Sequence, residues 1–525
     1  MTSKGPLSGI LVVDLTRVLA GPFSAMLLAE LGARVIKVEP PRVGDDSRHI
    51  GPFVKTKSGG TKSGYFMSVN RGKESIALDL KADGDRKIFE ALVARADVLI
   101  ENYRGGTMER LGYGYDTLKA KHPRLIYAGV SGFGHTGPYA KRPAYDMVVQ
   151  AMGGVMSLTG HPGAPPTRVG TSTGDLTAGL FATIGIVTAL YDREKTGRGQ
   201  KIDVAMLDSQ VAVLENAISR YVATGEVPGR LGSRHPSIAP FAAFATQDGH
   251  IAVAAGNDEL FARVARVLGR EELTADPRFT TNPNRVTHVD ALAAEMETAL
   301  AARPSKDWLA LLEEAGVPCG PLNNVAQVMA DPQVLARNMI VTVTDPDIGD
   351  IRMQGNPIKL SGYDDPKTRK SAPDLDADRA AILKELGLLP QPDCHGPRMR
   401  ATQVPQTKPL KKNRHHPAHA VARPVRVIHF PLLEEENWIA RTSRAMTNFD
   451  GKVRVSPGWP AFAGHDNRGC TPYIGSCLQN HVSTHERPLS RSAGRCVRRA
   501  DARSPARAAL PGGAEPGAAR GGGSR

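Results

Sequence analysis

One aspartate, Asp175, stands where its side chain could act as a nucleophile. It follows the small polar segment 172–174 and precedes an apolar stretch, residues 176–191, that is typical of a buried helix. A carboxyl group with an ordinary pKa near 3.9 is ionised at pH 7, so it needs no base before it attacks a carbonyl. A helix start favours the anion, and glycine neighbours let a bulky ester or thioester approach. The structural alternative is that Asp175 only caps the helix.

A second candidate nucleophile, Ser172, lies within residues 170–174, which match the G-x-S-x-G pattern of serine esterases. That pattern requires a strand directly before it, and the prolines at 165–166 leave room for only a very short one. A base would have to come from His235, His250 or His288, none of which has a convincing acidic partner. A serine esterase at Ser172 is therefore an alternative function of a different class.

The glycines at residues 132–137 match G-x-G-x-x-G and follow a predicted strand, but Pro138 prevents a helix from starting at once. A dinucleotide site needs that helix start for the pyrophosphate, so we predict a glycine-rich turn here. No C-x-x-C pair occurs in the sequence, which argues against a zinc ribbon or a redox dithiol. The sequence motifs thus indicate neither a metal site nor a tightly bound cofactor.

Strands and helices alternate in the part of the chain that would position these residues. The pattern predicts strands at residues 10–14, 34–39, 74–80, 97–101, 124–130 and 201–207. It predicts helices at residues 23–31, 83–96, 115–121, 176–191, 258–268, 289–302, 305–315 and 376–386. This alternation favours an α/β fold with an open, mostly parallel, Rossmann-like sheet.

Changes in composition divide the chain into four parts. We predict a large Rossmann-like domain at residues 5–224, a smaller α+β domain at 225–330 and a return to the large domain at 331–389. Residues 390–525 are rich in Pro, Arg and His with weak periodicity, which predicts a disordered basic tail. This tail holds a net charge of +13 out of +14. The nearly neutral remainder therefore gives no reason to expect a nucleic-acid or membrane partner.

Cysteine use and the absence of targeting patterns favour a cytoplasmic location. Only Cys319 precedes the tail, so no disulfide framework is expected and a reducing compartment is indicated. The N-terminal residues lack the charged and apolar regions of a signal peptide. The apolar stretch 176–191 is shorter than a membrane span, and we predict that it is a buried helix.

Eight short stretches, in order along the chain, resemble the class III CoA-transferases, which include formyl-CoA, carnitine-CoA and succinyl-CoA-dependent enzymes. The resemblance covers roughly residues 5–389, and the tail has no counterpart in the family. The stretches are 14–22 (DLTRVLAGP), 31–39 (LGARVIKVE), 70–73 (NRGK), 101–103 (ENY), 134–138 (GHTGP), 144–146 (AYD), 174–175 (GD) and 193–200 (REKTGRGQ).

The resemblance implies that Asp175 is the family's nucleophile and carries coenzyme A as an aspartyl thioester. CoA would pass from an acyl-CoA donor to a carboxylic acid without ATP, metal or tightly bound cofactor. The resemblance also implies that the CoA-binding residues are Asn70, Arg71, Lys73, Asn102, Tyr103, Arg104 and Arg110, with Tyr145 near the thioester. Gly256 and Asn257 lie where some members have a mobile lid, although this sequence has fewer glycines there.

The resemblance further implies an interlocked homodimer and gives two hints about substrates. Leu19 stands where oxalate-using members have glutamine, which argues against strict formyl-CoA and oxalate specificity. Residues 234–240 look like those of members that use succinyl-CoA and dicarboxylic acids. The partners expected are therefore acyl-CoA and small carboxylic acids.

An α-methylacyl-CoA racemase is the alternative within the superfamily, since it also has an aspartate at the position of Asp175. That enzyme pairs its aspartate with a histidine in a Gly-His-Asp triplet, whereas this sequence reads Ala144-Tyr145-Asp146. Tyrosine, with an ordinary pKa near 10, is a poor base at neutral pH. The sequence therefore favours the transferase.

Overall fold

A computed structural model of the protein describes residues 5–389, and the predicted tail lies outside the described residues. The strands are β1 (Leu11–Asp14), β2 (Arg34–Glu39), β3 (Phe53–Lys55), β4 (Thr61–Ser63), β5 (Glu74–Ala77), β6 (Val98–Glu101), β7 (Ile126–Ser131), β8 (Lys201–Ala205), β9 (Phe241–Ala245), β10 (His250–Ala254), β11 (Cys319–Pro321), β12 (Ile340–Asp345), β13 (Gly349–Gln354) and β14 (Thr368–Lys370). The α-helices are α1 (Ala20–Glu30), α2 (Gly64–Asn70), α3 (Asp83–Arg95), α4 (Thr107–Leu111), α5 (Tyr115–Lys121), α6 (Asp146–Met152), α7 (Val155–Leu158), α8 (Thr173–Thr196), α9 (Met206–Ala212), α10 (Asn216–Thr224), α11 (Asp258–Val267), α12 (Asn282–Thr287), α13 (Val289–Leu300), α14 (Ser305–Glu314), α15 (Val325–Val328), α16 (Pro332–Ala336) and α17 (Arg379–Leu386).

Six strands form one parallel sheet in the order β5-β2-β1-β6-β7-β8. Alternate residues of each strand face opposite sides, and both sides are apolar. On one side Val12 and Ile100 pack with α1 and α8; on the other, Val13 and Leu99 pack with α3 and α5. Helices thus cover both faces of the sheet, and the predicted α/β fold with an open parallel sheet is confirmed.

The segment at 225–330 carries its own sheet and its own hydrophobic cluster. Its strands pair antiparallel in the order β11-β10-β9. The cluster includes Phe244, Phe261 and Trp308, all of which are buried. The chain then returns to the large sheet. Ile382 of α17 packs in the same hydrophobic cluster as Phe89 of α3. The domain boundaries stay a prediction, although these contacts agree with the predicted order of segments.

Helix α8 is longer than predicted, and by length and composition alone it could cross a membrane. One of its faces is buried in the core, where Ala178, Ala182 and Ile186 pack with the sheet and with α1. Gly179 lets the two helices approach closely, because a Cβ at this position would lie 2.7 Å from the Ala20 carbonyl oxygen. We therefore interpret α8 as a core helix, and the close packing brings its first turn to the start of α1.

Candidate active site

The sheet changes its winding direction between β1 and β6, and a cavity lies at this point. From β1 the chain moves outward through β2 and β5, then returns to β6 on the other side of β1. The loops that follow β1 and β6 consequently diverge and leave a crevice at the carboxyl ends of the strands, where open α/β sheets bind ligands. The cavity measures about 240 Å³. It is lined mainly by residues at or after the carboxyl ends of β1, β6 and β7, together with Asp46, Asp175 of α8 and Met206 of α9.

Asp175 occupies the third position of α8 rather than the N-cap, which is Ser172. Its carboxyl group borders the cavity and is not used to cap its own helix. Gly174 is required beside it, because a Cβ there would lie 2.6 Å from Val149 Cγ2 of α6. The glycine therefore serves close packing between α8 and α6. The structural alternative for Asp175, a simple N-cap, is wrong.

The protonation of Asp175 differs from the sequence-based expectation. The pKa of its carboxyl group is raised to about 7, mainly by burial and further by the nearby Asp146 carboxylate, against the lowering effects of the Ala20 amide and the Arg168 guanidinium. The expectation that Asp175 is fully ionised at pH 7 is wrong, because the helix start does not offset desolvation and a like charge. A carboxylate with a raised pKa is also a more basic nucleophile.

We expect the activity of the free enzyme to fall as the pH drops through about 7, because only ionised Asp175 can attack a carbonyl. The kcat/KM should decrease about tenfold for each unit below this pKa and level off above it. The measurement is kcat/KM for CoA transfer between pH 5.5 and 8.5 at constant ionic strength. An acid limb centred near pH 4 would contradict the raised pKa.

The loop between β1 and α1 is held by a buried network of charges. Lys73 Nζ donates to Asp14 Oδ2 (2.8 Å), Asn70 Oδ1 (2.9 Å) and the Pro22 carbonyl (3.1 Å). Beside it, Lys37 Nζ lies 2.9 Å from Asp45 Oδ2. Burial alone would raise the pKa of Asp14, but the two lysines hold it below its usual value. These ion pairs fix the backbone that forms one wall of the cavity.

The same loop contains a strained residue, Val18, whose φ is +69°. A β-branched residue in this left-handed region costs about 1–3 kcal/mol and persists only where its surroundings impose it. Asp45 accepts the Val18 amide (3.0 Å), and the Asn102 side chain clamps the Arg17 backbone on both its amide (2.8 Å) and its carbonyl (2.7 Å). The loop is therefore held in one conformation beside Asp175.

The first predicted group of CoA contacts does not reach the cavity through its side chains. Asn70 and Lys73 are 0% exposed and belong to the charge network, while Arg71 is 2% exposed and pairs with Glu30 at 2.7 Å. These side chains are therefore already paired within the protein, and their contacts with CoA stay a prediction. In this segment only Gly72 is exposed, which leaves main-chain contact open.

Most residues of the second predicted group of CoA contacts line the cavity. Asn102, Tyr103, Arg104 and Tyr145 all line it, and Tyr145 is 74% exposed. Arg110 does not line it and donates to Thr107 Oγ1 (2.9 Å) on the protein surface. The contacts of these residues with CoA stay a prediction.

The predicted lid residues also lie away from the lining of this cavity. Asn257 caps α11 by accepting the Leu260 amide at 2.8 Å, and Gly256 is exposed. Their role as a lid stays a prediction.

The serine alternative lacks its required surroundings. No strand precedes Ser172, because residues 165–172 are irregular. Within the part of the chain that the structure describes, the Ser172 hydroxyl accepts from Arg168 Nη2 (2.8 Å) and bonds to no histidine. The alternative of a nucleophile elbow at Ser172 therefore lacks the strand that it requires.

Several residues at the cavity were given no role by the sequence analysis. Arg17, Arg142 and Ser131 line the cavity, and Asp146 and Arg168 lie directly behind Asp175. A usable signal existed for Ser131, since it ends β7 and the carboxyl ends of parallel strands carry functional residues. None existed for Arg168, which stands in an irregular segment.

Comparisons found a family model, curated relatives and solved structures that are similar to this chain. The model of "CoA-transferase family III" matches residues 7–379. An acetyl-CoA:oxalate CoA-transferase from Acetobacter aceti is 52% identical over 73% of this chain and 96% of its own length. The human succinyl-CoA:glutarate CoA-transferase is 40% identical over 74% of this chain and 87% of its own. A CaiB/BaiF family protein from Brucella suis superposes with a TM-score of 0.66 at 43% identity, over 73% of this chain and all of its own.

Proposed function

This chain belongs to CoA-transferase family III, and on that premise we propose that it moves coenzyme A from an acyl-CoA donor to a carboxylic acid through Asp175. The observation that carries the proposal is the Asp175 carboxyl group, which borders the cavity without capping its helix. Its pKa is raised to about 7. A buried carboxyl group with a perturbed pKa in a crevice is the expected form of a catalytic acid, base or nucleophile. Here no metal chemistry is needed to activate it.

The proposed reaction consists of two exchanges. An Asp175 carboxylate oxygen attacks the acyl carbonyl of the donor, the C–S bond breaks, and a mixed anhydride and CoA thiolate form. The thiolate then attacks the Asp175 carbonyl, which releases the donor acid and leaves an aspartyl-CoA thioester. The acceptor carboxylate reverses both steps and departs as a new acyl-CoA. The activated bond is conserved throughout, so no ATP is consumed.

The cavity also offers cationic and hydrogen-bonding groups to such a substrate. Among the described residues, no carboxylate lies within salt-bridge distance of Arg104 or Arg142. Arg142 is held over the Tyr139 ring at 4.5 Å. Within residues 5–389, Ser131 Oγ is buried and has no partner, and Arg17 Nε has none although Arg17 Nη2 pairs with Asp46 at 2.6 Å. A buried donor without a partner is costly until a ligand accepts from it. These groups suit the phosphates, carbonyls or carboxylates of acyl-CoA and acid substrates.

We infer acetyl-CoA or succinyl-CoA as donors and dicarboxylic acids as acceptors. The names of the relatives support this, because they combine acetyl-CoA with oxalate and succinyl-CoA with glutarate or mesaconate. The relative named for oxalate shares 52% of its residues with this chain, so Leu19 by itself does not exclude oxalate. Leu19 lines the cavity next to Ala20 and offers an acceptor only apolar surface.

A matrix of donors and acceptors tests the function. Acetyl-, succinyl- and formyl-CoA are each incubated with oxalate, glutarate, mesaconate and succinate, and new thioesters are identified by mass spectrometry. We expect transfer without ATP for at least one pair. A racemase would instead exchange the α-proton of a 2-methylacyl-CoA in deuterated water with no acceptor present. An esterase would release free CoA and acid, so either result would contradict the proposal.

We further propose that the protein is a homodimer, because α8 exposes a continuous apolar face. Leu180, Ile184, Val187 and Tyr191 recur at helical spacing, and Ile184 is 60% exposed. Helix α10 also exposes an apolar side chain, Val222. Soluble monomers rarely leave such a contiguous patch uncovered, and a second copy of the chain would cover it.

We expect Ile184→Asp to weaken the dimer, since it places a charge in the centre of this face. The mass in solution, measured by light scattering after size exclusion at 1–50 µM, should shift from twice the chain mass toward one. Lys141→Asp, on the exposed surface outside this face, is the control for added acidic charge. A wild-type protein that is monomeric at all concentrations would contradict the dimer.

A further inference from the structure

The helix that carries Asp175 receives its cap from another helix. The N-cap residue Ser172 makes no capping hydrogen bond with its own side chain. Asp146, the first residue of α6, instead accepts the Gly174 amide through Oδ1 at 2.9 Å. This arrangement meets the need of the helix for an acceptor at its first turn. It also leaves the adjacent Asp175 carboxyl group free to face the cavity.

Arg168 binds both Asp146 and the turn that leads into α8. Its Nε donates to Asp146 Oδ2 (3.0 Å), and its Nη2 lies 2.9 Å from the same oxygen. It also donates to Ser172 Oγ (2.8 Å) and to the Gly170 carbonyl (3.3 Å). This one guanidinium therefore connects Asp146, which caps α8, to Gly170 and Ser172, two residues that precede Asp175.

Gln150 completes the connection and is entirely buried. It donates to both oxygens of Asp146 at 2.8 and 3.0 Å, while its own oxygen accepts the Val169 amide at 3.0 Å. The turn at 168–174 is thus held by two side chains of α6 and by Arg168. Buried polar groups that satisfy one another in this way fix a single geometry.

We propose that Asp146 and Arg168 form a positioning pair. Asp146 caps α8, and its negative charge repels the negative charge of ionised Asp175. Arg168 holds Asp146 in place, and its positive charge reduces this repulsion. The proposal deepens the proposed function and rests on it, because it assigns a role to the charge on Asp175. When Asp175 becomes acylated it loses that charge, and the repulsion from Asp146 ends. The pair therefore favours the covalent state over the free carboxylate.

Two other groups beside Asp175 carry no charge at neutral pH. Tyr65 of α2 is close, but burial and the Asp175 charge raise the pKa of its hydroxyl to about 12, so it stays neutral. From α1 the Ala20 backbone amide faces the carboxyl group. Asp146 and Arg168 act on the pKa of Asp175 in opposite directions, since Asp146 raises it and Arg168 lowers it.

The test is the pH dependence of two variants. In Asp146→Asn the like charge is lost, and we expect the acid limb of kcat/KM to move about one pH unit lower. In Arg168→Met the compensating charge is lost, and the limb should move higher by a similar amount. Arg168→Lys should return toward the wild-type profile. A merely structural role would lower kcat in both variants without moving the limb in opposite directions.

Two further measurements separate the possible failures. The Asp175 carboxyl group is titrated by carbon NMR in protein labelled with ¹³C-aspartate, and its signal is assigned by its loss in Asp175→Asn. This readout needs no turnover, so it decides the positioning pair even where CoA transfer is not detected. The exposed pair Asp276 and Arg278 has matched chemistry, at 2.7 Å, so D276N and R278M are the controls.

Opposite displacements of the Asp175 titration, with unchanged profiles for the controls, are the expected result. The positioning pair would be overturned if the Asp175 titration did not move in Asp146→Asn and Arg168→Met, or moved in the same direction in both. The proposed function would still hold in that case if the wild type transfers CoA. Absence of any covalent CoA adduct at Asp175 in the wild type would instead overturn the proposed mechanism.

Discussion

Replacement of Asp175 by asparagine is expected to reduce CoA transfer on the order of 10³-fold or more, because an amide cannot form the anhydride or the thioester. The side chain keeps its volume, so the cavity and the packing of Gly174 against Val149 are preserved. The measurement is the exchange of labelled CoA between two acyl-CoA pools. A variant that retains wild-type turnover would show that Asp175 is not the nucleophile.

The stability of this variant distinguishes lost chemistry from lost fold. The pKa of Asp175 is raised above its unfolded value, so ionisation at pH 8 disfavours the folded state, and the cost disappears below the unfolded pKa. Removing the ionisable group should therefore keep or raise the Tm at pH 8. Asp192→Asn, the same change farther along α8, is the matched control and should leave turnover near wild type. A lower Tm for Asp175→Asn would indicate structural damage.

The covalent step has its own readout in the same experiment. Wild-type protein is mixed with a donor, quenched in acid, digested and weighed, and we expect the peptide that contains Asp175 to carry CoA. Hydroxylamine should convert that adduct to a hydroxamate on the same residue. The Asp175→Asn peptide should show neither mass. An adduct found on Ser172 instead would revive the esterase chemistry.

The order of the large sheet could be predicted because its strands are short apolar runs separated by amphipathic helices. The strand at residues 34–39 and the helix at 115–121 have the predicted bounds. The short helices α6 and α9 were not predicted. Helix α1 starts earlier than predicted, because Pro22 is accommodated in the first turn, where its missing amide is not needed.

Asp175 could be found from the sequence, but its electrostatic surroundings could not. The rise in its pKa depends on burial and on Asp146, which is 29 positions away in the chain and belongs to a helix that was not predicted. The role of Arg168 depends on three hydrogen bonds made by a residue in an irregular segment. Contacts of this kind arise from tertiary packing, and no local pattern encodes them.

The surroundings of Lys73, a residue that the family resemblance assigns to CoA binding, also could not be predicted from the sequence. Its motif is basic and polar, which favours an exposed, anion-binding side chain in the sequence. The structure buries it completely against Asp14, whose position is 59 residues earlier on β1. A buried lysine is tolerated only with such a partner, and the partner is brought there by the parallel pairing of β1, β2 and β5.

Lys73→Met is therefore expected to act on stability. It leaves the Asp14 carboxylate buried without its closest cation, and breaking a buried pair in this way costs about 3–5 kcal/mol. For the roughly 385 residues that the structure describes, this corresponds to a fall in Tm of roughly 5 °C. The measurements are Tm by calorimetry and KM for acyl-CoA at 20 °C, where the variant is still folded. Lys81→Met, at an exposed position, is the control and should change neither.

A double-mutant cycle decides whether the loss comes from the unpaired charge. Asp14→Asn in the Lys73→Met background removes the stranded carboxylate, so the double variant should recover part of the stability that the single variant loses. A CoA phosphate contact predicts the opposite pattern, with a several-fold rise in KM, an unchanged Tm and no rescue by Asp14→Asn. Because the network holds the strained Val18 loop beside Asp175, a partial rescue of Tm should be accompanied by a partial rescue of kcat.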